Sequence, residues 1–370
     1  MKILYALPFF YPYEVGGAEI STRLFAEGLA KRGHEIIILT LNFKKLKNEV
    51  EEFKKNIKIY RVMFPFPHKG ISPFLDSCLF QFYLFVSTLL TIRRFNPDVV
   101  HIQSSQFIPG VFFASKLHNK KIFLTVRDHG YAFSFGYLKN IYNRLQNKLL
   151  VFLLPYIFLT SFFMCNLRSA CIKKMDRIFP VSYSMKEFIK KRLKIPDEKF
   201  KVIYMPLPEC VLKWKSKYKP SNKIRFLYIG RLEKTKGIDL LLKVFAILER
   251  KYPNVELHVV GNSNLQYYKK MTTNLGIKNV IFYGKVPNEK IGYYYDNADA
   301  VVIPSIREEP LSRVLIESVY LKKFVIAFDK GGNKEMIKEN GIIVKKANKW
   351  CLLKGLENFV KRFKSINILF

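Results

Sequence analysis

Apolar positions along the chain follow two periods. Ile3 to Leu7 is an unbroken apolar run, as expected of a parallel strand covered on both faces. Ile20, Leu24, Phe25 and Leu29 then recur at helical spacing, which predicts a helix with that face turned to the core. Gly33 ends the pattern as a helix C-cap does, and Glu35 to Leu41 returns to strand. Val99 to Ile102 and Ile122 to Val126 read as further buried strands. This alternation predicts an α/β fold built on a doubly wound parallel sheet.

The rhythm restarts after an interval broken by Pro206, Pro208 and Pro220. Arg225 to Ile229, Val255 to Val260, Val280 to Tyr283, Ala300 to Ile303 and Phe324 to Ala327 read as strands, and Leu240 to Arg250 and Trp350 to Phe363 as helices. The expected organisation is a first domain over 1–204, a linker over 205–222, a second domain over 223–349, and a C-terminal helix over 350–370 open to packing back on the first domain. A chain of 370 residues is long enough to bury two such cores.

Two segments are unusually apolar. Leu79 to Leu90 ends in Arg93-Arg94, and Leu149 to Cys165 is nearly continuous except for Pro155, Thr160 and Ser161. A bilayer-spanning helix needs about 20 residues, so neither is a clear span. Two readings stand: buried helices of the first domain, or a surface that dips into one membrane leaflet with basic residues at the headgroups.

Charge sharpens the second reading. Lys and Arg total 63 against 29 acidic residues, a formal net charge of +34, which draws the chain toward polyanions. The basic runs, such as Lys54-Lys55, Lys173-Lys174 and Lys190-Lys191-Arg192, are scattered through both halves, so no dedicated nucleic-acid patch and no nucleic-acid partner are expected. An anionic membrane surface remains as a partner. The five cysteines show no CxxC spacing and read as thiols in a reducing cytoplasm. The apolar start meets Pro8 and Pro12 without a small-residue cleavage signal, so a strand is expected there and not a leader.

Three loops carry the chemistry, each placed between a strand and a helix, where open α/β sheets bind ligands. In the first, Gly16-Gly17-Ala18-Glu19, paired glycines admit close backbone approach and the helix that follows offers N–H groups to a phosphate. The second, Gly230-Arg231-Leu232-Glu233-Lys234-Thr235-Lys236-Gly237, sets two cations where a departing diphosphate gathers charge. The third runs from Pro304 to Glu317. A helix starting inside it places Glu309 before the N-terminus and Glu317 about one turn in, with the amides of Leu311 and Ser312 between two carboxylates suited to sugar hydroxyls.

In this order the three elements resemble the retaining GT-B glycosyltransferases of family GT4: a GGAE-like entry, a GRLxxxKG loop and an E-x7-E element ending at Glu317, followed by Gly331-Gly332-Asn333-Lys334-Glu335. The resemblance implies two facing Rossmann-like domains (the GT-B fold) with an interdomain cleft, and sugar transfer from a nucleoside-diphosphate sugar to an acceptor hydroxyl. By the same resemblance Arg231 and Lys236 bind the donor diphosphate, Glu317 the ribose and Glu309 the transferred sugar. Gly16 and Gly17 line the cleft, and the Leu311 and Ser312 amides add phosphate contacts. No cofactor is implied, and no metal. The basic first domain and its two apolar segments suit a glycan or lipid-linked precursor as the expected acceptor, at a cytoplasmic site that includes the inner membrane face.

Three segments depart from the family: Met205-Pro206-Leu207 replaces an Asn-Gly pair, Gly261-Asn262-Ser263 keeps one glycine of a Gly-x-Gly turn, and the third bears on catalysis. The family's Thr-x-His-Asp reads Thr125-Val126-Arg127-Asp128-His129 here, so Arg127 stands at the histidine position and His129 two residues on. Both are catalytic candidates, although an arginine cannot serve as a base. Two other classes fit parts of the sequence: another GT-B enzyme, such as a nucleotide-sugar epimerase or a phosphorylase, and a non-enzymatic binder of polyanions or membrane surfaces.

Overall fold

The unbroken apolar runs become strands, and the computed structural model describes them within residues 1–13, 16–42, 50–63, 78–128, 154–216, 218 and 221–367. The chain divides into two units, Met1–Pro206 and Leu207–Phe370. In the first, β1 (Lys2–Ala6), β2 (Glu35–Asn42), β3 (Val50–Lys54), β4 (Ile57–Met63), β5 (Val99–Ile102), β6 (Lys121–Val126) and β7 (Arg177–Pro180) form one sheet. Its order is β3-β4-β2-β1-β5-β6-β7. All pairs are parallel except β3 with β4. The winding direction reverses between β1 and β5, where Ile3 pairs with Ile36 on one side and Val99 on the other.

Successive residues of β1 enter different cores. Leu4 and Ala6 pack with Ile37, Val100 and Leu124, whereas Ile3 and Tyr5 pack with Ile36, Ile38 and Ala26. Both faces of the sheet are therefore covered, which is why the strand shows no polar alternation.

Helix α1 (Gly17–Lys31) differs in its facing from the sequence expectation. Thr22, Ala26 and Ala30 lie against the sheet, and Phe25 and Leu29 flank them half-buried. Small side chains allow the close approach, and the larger apolar residues wedge its sides. The helix ends as expected, with Gly33 at φ +84° donating its N–H to Ala30 O at 3.0 Å.

Helices α2 (Cys78–Phe95), α3 (Ile108–Leu117) and α4 (Leu154–Lys173) pack in sequence, α3 against both of its neighbours. Pro155 does not interrupt its apolar segment. It is the second residue of α4, in the first turn, where a missing N–H removes no helical hydrogen bond. Residues 149–153 of that segment lie outside the described residues. Helix α5 (Tyr183–Leu193) is capped by Ser182, whose hydroxyl accepts the Met185 N–H at 3.1 Å.

The second unit holds β8 (Ile224–Ile229), β9 (Val255–Val260), β10 (Val280–Gly284), β11 (Ala300–Ile303), β12 (Phe324–Phe328) and β13 (Gly341–Val344). They form a parallel sheet ordered β10-β9-β8-β11-β12-β13. Its winding reverses between β8 and β11. Helix α6 (Ile238–Lys251) follows β8, α7 (Arg313–Tyr320) follows β11, and α8 (Lys349–Asn367) closes the core. Leu352, Leu356, Phe359 and Val360 of α8 are buried there, with the Phe359 ring 5.6 Å from Phe226 and 4.8 Å from Phe324.

Candidate active site

Each sheet reverses its winding at a central pair of strands, and the loops beyond the carboxyl ends of such strands form the ligand crevice of open α/β folds. In the second unit three loops meet there, those following β8, β11 and β12. Thr235 O accepts the N–H groups of Ile306 and Arg307 at 3.1 and 3.3 Å, joining the first two. Gly237 makes that contact possible: at φ +77°, an added Cβ would stand 1.8 Å from Pro304 O. The third loop joins through Gly331, at φ +54°, where a Cβ would stand 1.6 Å from Glu309 O. Its N–H donates to Glu308 Oε2 at 2.7 Å, and Lys330 pairs with Glu308 at 2.9 Å. Such close backbone packing fixes the loops without large side chains.

The structure brings Lys236 and Glu309 together. Lys236 Nζ donates to Glu309 Oε1 at 2.6 Å, and Ser305 Oγ donates to the same oxygen at 2.5 Å. Arg231 is turned to Glu233 at 3.0 Å and is largely exposed, while its carbonyl accepts the Tyr228 hydroxyl at 2.7 Å. The two basic side chains thus stand on one loop with different partners. Ser312 is the N-cap of α7, and Leu311 beside it is buried. Neither N–H has a hydrogen-bond partner among the described residues. Helix N-terminal amides in that condition attract an anion.

Glu317 sits one turn into α7 and is only 6% exposed. Tyr295 donates its hydroxyl to Oε2 at 2.8 Å and Arg313 its Nε–H to Oε1 at 2.8 Å, so each carboxylate oxygen is held by one donor. Burial, and next the charge of Glu317, raise the Tyr295 hydroxyl well above its ordinary pKa, so it remains a donor. Arg313 was legible as a partner, since it lies four residues before Glu317 on the same helix, whereas Ser305 reaches Glu309 across a loop that helical spacing does not describe. Tyr295 was not, because 22 residues and a strand separate it from Glu317.

In the first unit Gly16 is the N-cap of α1, and its N–H donates to Glu19 Oε2 at 2.8 Å in a capping box that the GGAE spelling contained. Gly16 is extended, with φ −161°, and a Cβ would meet only Glu19 Oε2 at 3.6 Å. Neither backbone nor packing demands glycine there. Gly17 opens the helix itself.

Arg127, at the end of β6, donates from Nη1 to Thr22 Oγ1 at 2.8 Å. Its Nε and Nη2 are buried and find no partner among the described residues. Burial lowers its pKa to about 10, against the opposing pull of Tyr5, Glu19 and Asp128. Asp128 accepts the Ser105 hydroxyl at 2.8 Å. Behind Arg127 lies His101, whose Nε2 is 2.8 Å from Thr125 Oγ1 and whose ring meets the Tyr5 ring edge-on at 5.1 Å. Burial, with Arg127 adding to it, pushes the His101 pKa down to about 3, so the imidazole is neutral. His129 lies outside the described residues.

Known proteins share this architecture. The family model for glycosyltransferase family 4 matches residues 15–208, and that for glycosyl transferases group 1 matches residues 212–365. A glycosyltransferase of Methanocaldococcus jannaschii is 26% identical over 96% of this chain and 88% of its own length. A phosphatidylinositol N-acetylglucosaminyltransferase subunit of Saccharomyces cerevisiae is 24% identical over 89% of this chain and 68% of its own. The structure of an Anabaena protein in complex with UDP-glucose superposes with a TM-score of 0.67 at 18% identity, covering 98% of this chain and 91% of that one. With both halves matched and two parallel-sheet Rossmann-like domains in place, the chain belongs to the GT-B glycosyltransferases, joining a family 4 domain to a group 1 domain.

Proposed function

We propose that the chain transfers a sugar from a nucleoside-diphosphate sugar to an acceptor hydroxyl with retention of configuration, and without a metal. The observation that carries this reading is the Lys236–Glu309 pair, 2.6 Å apart, drawn from two loops that meet at the reversal point of the second sheet. A diphosphate arriving there takes Lys236 and Arg231 as counter-charges, together with the Leu311 and Ser312 amides. Glu309 is released to accept hydroxyls of the sugar, and Glu317, clamped by Tyr295 and Arg313, accepts those of the ribose. As the bond from the anomeric carbon to the diphosphate breaks, negative charge grows on the leaving oxygen, and two cations with oriented amides stabilise it more than they stabilise the intact donor. Arg127, with two donors unengaged, steadies charge on the reacting groups, and the unneeded glycine at Gly16 leaves room for a ligand.

The acceptor is a lipid-linked or cell-surface glycan precursor in this reading, met at the cytoplasmic face of a membrane. The yeast relative named for a phosphatidylinositol substrate and the basic first domain support it.

Calorimetric titration with UDP, GDP and ADP in EDTA tests the donor site. Tight binding of one nucleotide, weakened at least about tenfold by Glu317→Ala, is expected. Absence of binding by all three, with and without added magnesium, overturns the reading; binding only with magnesium overturns its metal independence.

A further inference from the structure

Helix α2 is built with its polarity reversed. The side turned into the domain carries Gln81, Ser87, Thr88 and Thr91 beside Phe80, Leu84 and Ile92, all buried. The outer side carries Leu79, Phe82, Val86 and Leu90, which are 77%, 66%, 38% and 51% exposed. Their spacing places them in one stripe along the helix. The inward polar groups have reasons to be there. Gln81 Nε2 donates to Gln106 O at 2.9 Å, its Oε1 accepts the Gly110 N–H at 3.1 Å, and Thr91 donates to Ser87 O at 2.6 Å. The outward apolar stripe has no such reason within the fold. Helix α3 lies alongside and exposes Phe113 and Leu117, and α4 beyond it exposes Phe162 and Phe163.

The charge carried by these three helices has one sign. None of the three helices contains an Asp or Glu, while they expose Arg93, Arg94, Lys116 and Lys173. A second copy of the chain would set these cations against their own kind, which disfavours self-association. An anionic lipid surface complements both features, taking the apolar stripe at the acyl boundary and the cations at its phosphates. Helix α2 has the length and apolarity to cross a bilayer, with a mean hydropathy of 1.2. Its inner side is committed to the domain core, so it lies along the surface.

We propose that the outer faces of α2, α3 and α4 dock the first domain on an anionic bilayer. The inference extends the lipid-acceptor part of the reading above and does not depend on the donor part. Flotation with vesicles rich in phosphatidylglycerol, against pure phosphatidylcholine, tests it on the full chain. The wild type should float with the anionic vesicles and partition about fivefold or more weaker onto the neutral ones. The double variant Phe82→Ser/Leu90→Ser should lose at least about tenfold of the anionic partitioning. Its melting temperature and nucleotide titration should be unchanged, because both side chains project outward. Trp350→Ser, which removes an equally exposed aromatic from the second domain, should float as the wild type does.

Three outcomes overturn the proposal: a wild type that stays unbound with both vesicles, a double variant that floats undiminished, and a wild-type dimer in light scattering that the double variant dissolves. Absence of nucleotide binding alongside normal flotation would fell the donor reading and leave this one standing.

Discussion

The two sheets reverse their winding in the same way, yet the loops beyond them treat charge differently. In the second domain every charge singled out faces an opposite charge: Lys236 with Glu309, Arg231 with Glu233, and Glu317 with Arg313, whose Nη1 and Nη2 are buried without a partner among the described residues. In the first, Arg127 meets only the neutral Thr22 hydroxyl among the described residues, with Nε and Nη2 unengaged there, and adds its charge to the burial that keeps the His101 imidazole neutral. Paired charges give a site that is stable when empty and exchanges partners when a ligand arrives. A half-buried cation with no carboxylate set against it weakens the empty protein, and such strain is kept where binding or catalysis relieves it.

The largest test of this contrast is Lys236→Met, expected to lower kcat/KM on the order of a thousandfold in a steady-state assay with the identified donor, without raising the melting temperature. Arg127→Met should lower kcat about a hundredfold and leave nucleotide affinity unchanged, with a melting temperature equal to the wild type's or higher. A marked fall in melting temperature would show Arg127 to be a structural partner of Glu19 and Asp128, and would dissolve the contrast.

Tyr295→Phe removes one of the two donors that aim Glu317. It should weaken nucleotide binding about tenfold by calorimetry with kcat little changed, since the interaction is equally present in ground and transition states. The smallest effect concerns His101. Its folded pKa, about 3, lies below the ordinary value of 6.5, so the unfolded chain binds more protons between the two. The stabilising contribution is complete above pH ~6.5 and lost as pH falls toward ~3. Chemical denaturation across that range should show wild-type stability falling more steeply than that of His101→Phe, by on the order of a few kcal/mol in total. Parallel slopes would remove His101 from the account.

The contrast between the domains also marks what the sequence could disclose. Ala300–Ile303 was legible residue for residue, because burial on both faces writes it as an unbroken apolar run, and Val99–Ile102 was legible despite His101 within it. The facing of α1 was not, because close packing on the sheet favours Ala26 and Ala30 over the larger residues that the periodicity highlights. Strand β3, spelled Val-Glu-Glu-Phe-Lys, was invisible, since half of an edge strand faces water. In the site, Glu309 and Glu317 stood out through their spacing, and the helix start between them lies where that spacing placed it. Arg313 was within reach of the same reasoning, being four residues before Glu317 on one helix. Tyr295 and the neutral state of His101 were not, because they depend on which distant strands the fold sets side by side.

Strand β3 has a consequence of its own. A parallel sheet ending at β4 would offer a row of open backbone groups to any passing chain. The short antiparallel β3 covers that row and presents Glu51, Glu52 and Lys54 at its own margin. Glu51 reaches inward as well, meeting the buried Arg61 at 2.7 Å. The margin on this side of the sheet is thus a short strand rich in charge, a poorer template for another chain than β4 would be.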